Sequence, residues 1–225
     1  MRSRQRAIVA GLAAAFLLAT LAGGAPVRAD DVFCSDTLGA VTVDNLYVPD
    51  NATCTLNGTT VEGNIFVETQ ATLHAHGVFV DGNIQAEGAA RVNVDAGSTV
   101  GGNIQVFSSG AADIRAVDID GDLQWDANTA FLDADGNTIG GNLQAFQNTG
   151  GLSITGNVID GDLQCTGNAP PPTGGGNTVQ GSAEGQCAAL GGAPGPTPTT
   201  MPPATPTTAP VSGPHRVTLP LIWRF

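Results

Sequence analysis

A short motif that recurs every 19 or 20 residues is the feature that most constrains how this chain can fold. The motif is Val or Ile, any residue, Gly, Asn or Asp, then Ile or Leu. Six copies are complete, with the glycines Gly63, Gly82, Gly102, Gly121, Gly141 and Gly161, and a weaker seventh copy that starts at Val179 has Gly181. Two or three short strands in so small a unit cannot bury a hydrophobic face alone, so the copies must stack on one another.

The alternation of apolar and polar residues inside each unit predicts strands. In the copy that begins at Val80, Ile84 and Ala86 alternate with polar neighbours, and Val92 and Val94 repeat the pattern. A period of two is typical of strands, and no helical period runs through the repeats. We therefore predict an all-β fold, a single parallel β-helix (β-solenoid) with 19–20 residues per coil and about seven to eight coils, with a right-handed coil favoured.

Equivalent positions of successive coils should form vertical columns. The Ile or Leu of each motif faces inward, so the glutamine that follows it should face outward and hydrogen-bond from coil to coil. The candidate contact ladder consists of Gln85, Gln105, Gln124, Gln144 and Gln164. Phe107, Trp125 and Phe146 lie near this ladder, although Trp125 aligns with inward positions and is favoured as a core residue.

The glycine column predicts a bend or a close approach of backbones, where a side chain does not fit. The Asn or Asp that follows each glycine predicts a second ladder at a corner. The sequence leaves open whether this ladder faces inward or outward.

Cysteine spacing predicts the disulfides. Cys34 and Cys54 are 20 residues apart and Cys165 and Cys187 are 22 apart, about one coil in each case. One coil brings the Cα atoms of two such cysteines within the ~4.4–6.8 Å that a disulfide requires. A bond between Cys54 and Cys165 would have to cross more than five coils, about 25 Å. The predicted pairs are therefore Cys34–Cys54 and Cys165–Cys187, one at each end.

The charge distribution excludes two classes of partner. The formal net charge is −12, the chain has no Lys, and every acidic residue lies at Asp30 or beyond. A chain of this charge lacks the basic surface that neutralises phosphates, so nucleic-acid binding and adsorption to anionic membranes are not expected.

The two termini differ in composition from the repeats. Residues 1–29 have a basic start, an apolar run and small residues before Ala29, which predicts a signal peptide, with a retained membrane anchor as the alternative. Residues 30–40 are predicted as an N-terminal cap and 41–190 as the solenoid. No segment after the signal is expected to span a membrane.

The C-terminal part is predicted to form a tether. Residues 191–216 are a Pro/Thr-rich linker, and residues 217–225 are a short apolar tail that is too short to cross a bilayer as a helix. Two interpretations of the tail stay open: a docking segment that retains the secreted protein at the cell surface, or a strand that folds back on the solenoid.

No catalytic residue, metal site or cofactor is predicted. His74 and His76 share one face of a strand, but the third histidine lies in the linker, which favours a solvated face. The segment from Asp133 begins like a calcium loop but lacks the distal Glu, which favours a turn.

The repeats favour a non-enzymatic protein. Coils that differ by one residue leave no insertion to wall a cleft, and Arg91 and Arg115 are the basic residues within them. The leading hypothesis is an exported, non-catalytic structural or adhesive element of the bacterial cell surface, with an envelope component or a glycan as partner. The alternative is a carbohydrate-active or carbohydrate-binding β-helix that uses acids such as Asp120, Asp122, Asp160 and Asp162. Self-association is left open.

The motif Val-x-Gly-Asn-Ile-Gln, the segment that begins at Ala52 and the Gly185-Gln-Cys segment resemble a group of secreted bacterial repeat proteins. More distantly, residues 41–186 resemble bactofilins, which are polymer-forming β-helical scaffolds. The chain differs from bactofilins in its signal peptide and its two predicted disulfides. This resemblance implies a scaffold with no catalytic residues.

Overall fold

The structure, a computed structural model, describes residues 31–95 and 97–192. Within these residues the chain has no helix and forms three sheets in which every strand pair is parallel. The predicted all-β solenoid is therefore confirmed. The predicted signal peptide, the apolar tail and the linker from residue 193 lie outside the described residues.

Each coil contributes one strand to each of three sheets, in the same order along the chain. The first sheet has nine strands: Val32–Phe33, Leu46–Val48, Ile65–Val67, Ile84–Glu87, Ile104–Phe107, Leu123–Asp126, Leu143–Phe146, Leu163–Thr166 and Ala183–Gly185. The second sheet has eight: Thr37–Leu38, Thr53–Asn57, Thr72–His76, Arg91–Asp95, Ala111–Arg115, Leu132–Asp135, Leu152–Thr155 and Thr173–Gly175. The third sheet also has eight: Thr42–Val43, Thr60–Val61, Phe79–Val80, Thr99–Val100, Asp118–Ile119, Thr138–Ile139, Val158–Ile159 and Thr178–Val179.

The register places equivalent motif positions directly above one another, as predicted. Ile84 lies opposite Ile65 on one neighbouring coil and Ile104 on the other, and all three are fully buried. Trp125 lies in the parallel inward column between Val106 and Ala145 and is also fully buried. The core is thus a set of apolar columns that run along the interior of the rod.

The ends of the rod are continuous with its coils. Val32–Phe33 and Thr37–Leu38 belong to the segment that we predicted as an N-terminal cap, and they form the first strands of the first and second sheets. At the other end, Gly191 forms a bridge with Asn177. The described residues therefore belong to the stack from its first strand to its last turn.

Both predicted disulfides are confirmed. Cys34 is bonded to Cys54 with a Cα–Cα distance of 5.4 Å, and Cys165 is bonded to Cys187 with a distance of 5.3 Å. Each bond joins one coil to the next at an end of the stack. Each bond thus attaches a terminal coil, which has a neighbour on one side only, to the coil beside it.

Removal of the C-terminal disulfide should destabilise the protein substantially. Replacing both Cys165 and Cys187 with alanine should lower the free energy of unfolding by about 3 kcal/mol, because the unfolded chain loses a constraint that closes a loop of roughly 20 residues. Urea denaturation followed by circular dichroism measures this loss. Reductant should then destabilise the variant less than the parent, since one bond remains to be opened. The prediction is contradicted if the parent protein has four free thiols and if the parent and the variant have the same free energy of unfolding.

The glycine column marks a close approach of backbones. A Cβ atom at Gly82 would lie 2.5 Å from the carbonyl oxygen of Gly63, and one at Gly141 would lie 2.2 Å from Asp122 Oδ1. The neighbouring Asn or Asp column is half-buried, and each Oδ1 accepts a backbone N–H from the next coil, as Asn64 does from Asn83 at 2.9 Å. Glycine at this position thus makes room for the corner ladder.

Two further asparagine ladders lie inside the other two corners, and we did not predict them. One contains Asn128, Asn148 and Asn168, and the other contains Asn137, Asn157 and Asn177. In each ladder the side chain accepts the backbone N–H of the preceding coil and donates to a backbone carbonyl, as Asn148 donates to Trp125 at 3.2 Å. These side chains satisfy buried backbone groups where the chain leaves one sheet for the next.

Candidate functional site

The outward side chains at the middle of the first-sheet strands form one continuous column, which we call the aromatic–amide column. In order along the rod it consists of Phe33, Tyr47, Phe66, Gln85, Gln105, Gln124, Gln144, Gln164 and Glu184. The column therefore contains every glutamine of the candidate contact ladder. Its aromatic part, which we did not predict, occupies the same position on the first three coils.

The glutamine side chains of the column form a continuous series of hydrogen bonds in which each amide donates to the next coil towards the C-terminus. Gln105 Nε2 donates to Gln124 Oε1 at 2.8 Å, and Gln144 Nε2 donates to Gln164 Oε1 at 2.9 Å. The last amide donates to Glu184 Oε2 at 3.4 Å. Gln105 and Gln144 each have one further N–H beyond the ladder, whereas Gln124 donates its second N–H to Asp122 Oδ2 at 3.2 Å. Each amide carbonyl has a further lone pair that can accept a hydrogen bond. The half-buried ladder is thus both a structural support and a polar surface.

The aromatic part of the column is a stack of three rings. The ring centroids of Phe33 and Tyr47 are 5.1 Å apart, and those of Tyr47 and Phe66 are 4.9 Å apart. Phe33, at the end of the stack, is 73% exposed. Rings this close stabilise one another beyond the area that they bury.

A second outward column runs beside the aromatic–amide column, and we call it the phenyl–acid column. It consists of Glu87, Phe107, Asp126, Phe146 and Thr166. Phe107 and Phe146 are half-buried and lie two coils apart, with Asp126 between them. Phenyl rings therefore recur on this face at a spacing of about 9.6 Å, which is twice the distance between neighbouring strands.

The two columns enclose two shallow depressions on the outer face of the first sheet. The first has a volume of about 330 Å³ and lies between Phe66 and Phe107, with Gln85, Gln105, Glu68 and Glu87 around it. The second has a volume of about 170 Å³ and is lined by Phe107, Phe146, Gln124, Gln144 and Asp126. Phe107 belongs to both, so the depressions are neighbours along the rod.

The second sheet carries the histidines and the basic residues of the repeats. His74 and His76 lie on its outward face, and His76 Nδ1 contacts Asp95 Oδ2. Arg91 and Arg115 both pair with Asp113.

Arg115 pairs in addition with Asp133, at 2.7 Å. Opposite charges thus neutralise one another on the outward face of the second sheet, and the arginines are engaged within it. Across residues 31–95 and 97–192, no three His, Cys, Asp or Glu side chains are grouped so that they could hold a metal ion.

Two of the acids that the carbohydrate-active alternative would use belong to the corner ladder of the glycine motif. Asp122 Oδ1 accepts the backbone N–H of Asn142 at 2.6 Å, and Asp162 Oδ1 accepts that of Ser182 at 2.8 Å. The corner ladder places an amide on each side of Asp122, which keeps its charge away from that of Asp162. Both carboxylates hold one coil to the next.

The comparisons give no relative on which an assignment could rest: no protein-family model, curated protein or solved structure matches this chain. In the part of the chain that the structure describes, no helix is long and apolar enough to cross a membrane. The described residues thus define a β-solenoid with two disulfides and one face rich in amide and aromatic side chains.

Proposed function

We propose that this protein is an exported, non-catalytic β-solenoid that acts as a structural or adhesive element of the bacterial cell surface. The observation that carries the proposal is the regularity of the rod: successive coils repeat the same three strands, and a disulfide closes each end. Bonded cysteines are typical of oxidising compartments outside the cytoplasm, which supports export.

Two observations favour a scaffold over a carbohydrate-active enzyme. Asp122 and Asp162 use carboxylate oxygens to bind the next coil, whereas a glycosidase needs a pair of carboxyl groups placed on either side of a sugar bond. Arg91 and Arg115 are engaged with aspartates on the second sheet. The described surface is therefore suited to contact with a partner, and the segment of residues 193–225 is the proposed tether that retains the protein at the cell surface.

Fractionation of producing cells tests this proposal. The full chain should be found in the envelope fraction and should be degraded by protease added to intact cells. A variant that lacks residues 193–225, and so keeps the bridge between Gly191 and Asn177, should be released into the medium. A variant that lacks residues 1–29 should stay in the cytoplasm. A truncated protein that remains cell-associated would refute the tether, and a full chain found in the cytoplasm would refute export.

A further inference from the structure

The two depressions on the first sheet are aligned with the long axis of the rod. Phe66, Phe107 and Phe146 lie on every second coil at the boundaries of the depressions, with Phe66 displaced by two residues along the strand from the other two. Measured along the rod axis, an aromatic ring therefore recurs about every 9.6 Å. This distance is comparable with the length of an extended disaccharide unit. A linear polymer that follows the rod would therefore meet a ring once in every two sugar units.

The side chains around the depressions match the chemistry of a sugar. A pyranose ring has C–H groups on its faces and hydroxyl groups at its rim. Phenyl rings supply an apolar surface for the C–H groups. The amides of Gln85, Gln105, Gln124 and Gln144 both donate and accept hydrogen bonds, as hydroxyl groups do.

The charge of this face selects among polysaccharides. The first depression has Glu68 and Glu87 in its lining and the second has Asp126, whereas neither lining contains Arg or His. A polymer with uronate, sulfate or phosphate groups would meet like charge here, which is costly in an interface. Hydroxyl groups, in contrast, donate readily to carboxylates.

We infer that the outer face of the first sheet binds a neutral polysaccharide that runs along the rod. Its sugar rings lie against Phe66, Phe107 and Phe146, and its hydroxyl groups bond to the glutamine ladder and to the carboxylates beside it. The inference rests on the proposed adhesive function and names its ligand class. Because both depressions are shallow, each sugar contributes little and the binding strength comes from contacts repeated along one chain.

Affinity electrophoresis tests the inference with the full secreted chain. Native gels are cast with a neutral polymer (hydroxyethyl cellulose, xyloglucan or galactomannan) or with the anionic polymer polygalacturonate. At least one neutral polymer should slow the protein, and polygalacturonate should not. Phe107→Ala should weaken the apparent affinity at least tenfold, because this ring belongs to both depressions.

Phe79→Ala is the matched control. Phe79 lies on the third sheet with 46% of its surface exposed, away from both depressions, and its loss should leave the retardation unchanged. Circular dichroism establishes that both variants are folded. The inference is wrong if no neutral polymer slows the parent protein, or if Phe107→Ala and Phe79→Ala behave alike.

Sedimentation of the same variants tests whether this face instead binds a second copy of the chain. Self-association that Phe107→Ala abolishes, without any retardation by polysaccharide, would make the face an interface between copies of the chain and would overturn the inference. Failure here is distinct from failure of the proposed function: a surface-retained protein that binds no neutral polymer refutes the ligand alone. A retarded protein that is found in the cytoplasm refutes the cell-surface function alone.

Discussion

Trp125→Ala should lower the free energy of unfolding by about 3 to 5 kcal/mol. The indole is fully buried in an inward column, where the neighbouring coils place Val106 and Ala145. The coils are held at a fixed spacing by the three sheets, so they cannot collapse into the space that the indole leaves. Equilibrium urea denaturation followed by far-ultraviolet circular dichroism measures the change.

Two variants make this result interpretable. Trp125→Phe keeps most of the volume and removes the indole N–H, which has no hydrogen-bond partner within the described residues. It should therefore change stability by less than about 1.5 kcal/mol. Phe131→Ala, at a site that is 50% exposed, should have a small effect. If Trp125→Ala were as mild as Phe131→Ala, the indole would not be a core residue.

Asn148→Ala should be similarly damaging, with a loss of about 4 kcal/mol. The Asn148 side chain accepts both the backbone N–H and the side-chain N–H of Asn128, at 3.0 and 2.9 Å. Alanine leaves these two donors buried without a partner, at a cost of roughly 2 kcal/mol each. It also takes a donor from the carbonyl of Trp125. The measurement is again urea denaturation.

Asn57→Ala is the control for the asparagine ladder. Asn57 is exposed at the end of a second-sheet strand, so its replacement should change stability by less than about 0.5 kcal/mol. Equal losses in the two variants would show that the ladder does not stabilise the coils. A large loss for Asn148→Ala alone would establish that one buried amide secures the corner between the first and second sheets.

The path of the backbone through the rod could be predicted from the sequence because the motif repeats every 19 or 20 residues. Once the motif glycines are aligned, Ile84 must lie beside Ile65 and Ile104, and Cys34 must lie one coil from Cys54. Apolar alternation then decides which side chains face inward. These predictions hold because a slip of one residue would turn a whole hydrophobic column to solvent.

The buried asparagine ladders could not be predicted in the same way. Asn137, Asn157 and Asn177 repeat at the coil period, but they lie among Gly and Thr residues that are equally typical of exposed turns. Which way a corner side chain faces depends on the backbone path between two sheets. The signal that was available is their regularity, since a solvated turn has no need of the same residue on successive coils.

The aromatic part of the candidate site was not predicted because the first coils depart from the repeat motif. Tyr47 and Phe66 occupy the position that glutamine holds from Gln85 onward, so the motif does not extend to them in its full form. Alignment by the preceding apolar residue, Leu46 or Ile65, would have placed them in the same column. Their contribution to the contact face became evident only from the register.

The division of the chain into equal coils makes the length of the rod a discrete quantity. Duplication or loss of one 20-residue unit between the terminal disulfides would change the length of the rod by about 4.8 Å and would leave both of these inter-coil bonds in place. Each side chain of an inserted coil would meet the same kind of neighbour above and below. The length of the rod and its binding surface can therefore evolve separately. The length changes with the number of units, and the binding surface changes through substitution of outward-facing residues on a single sheet.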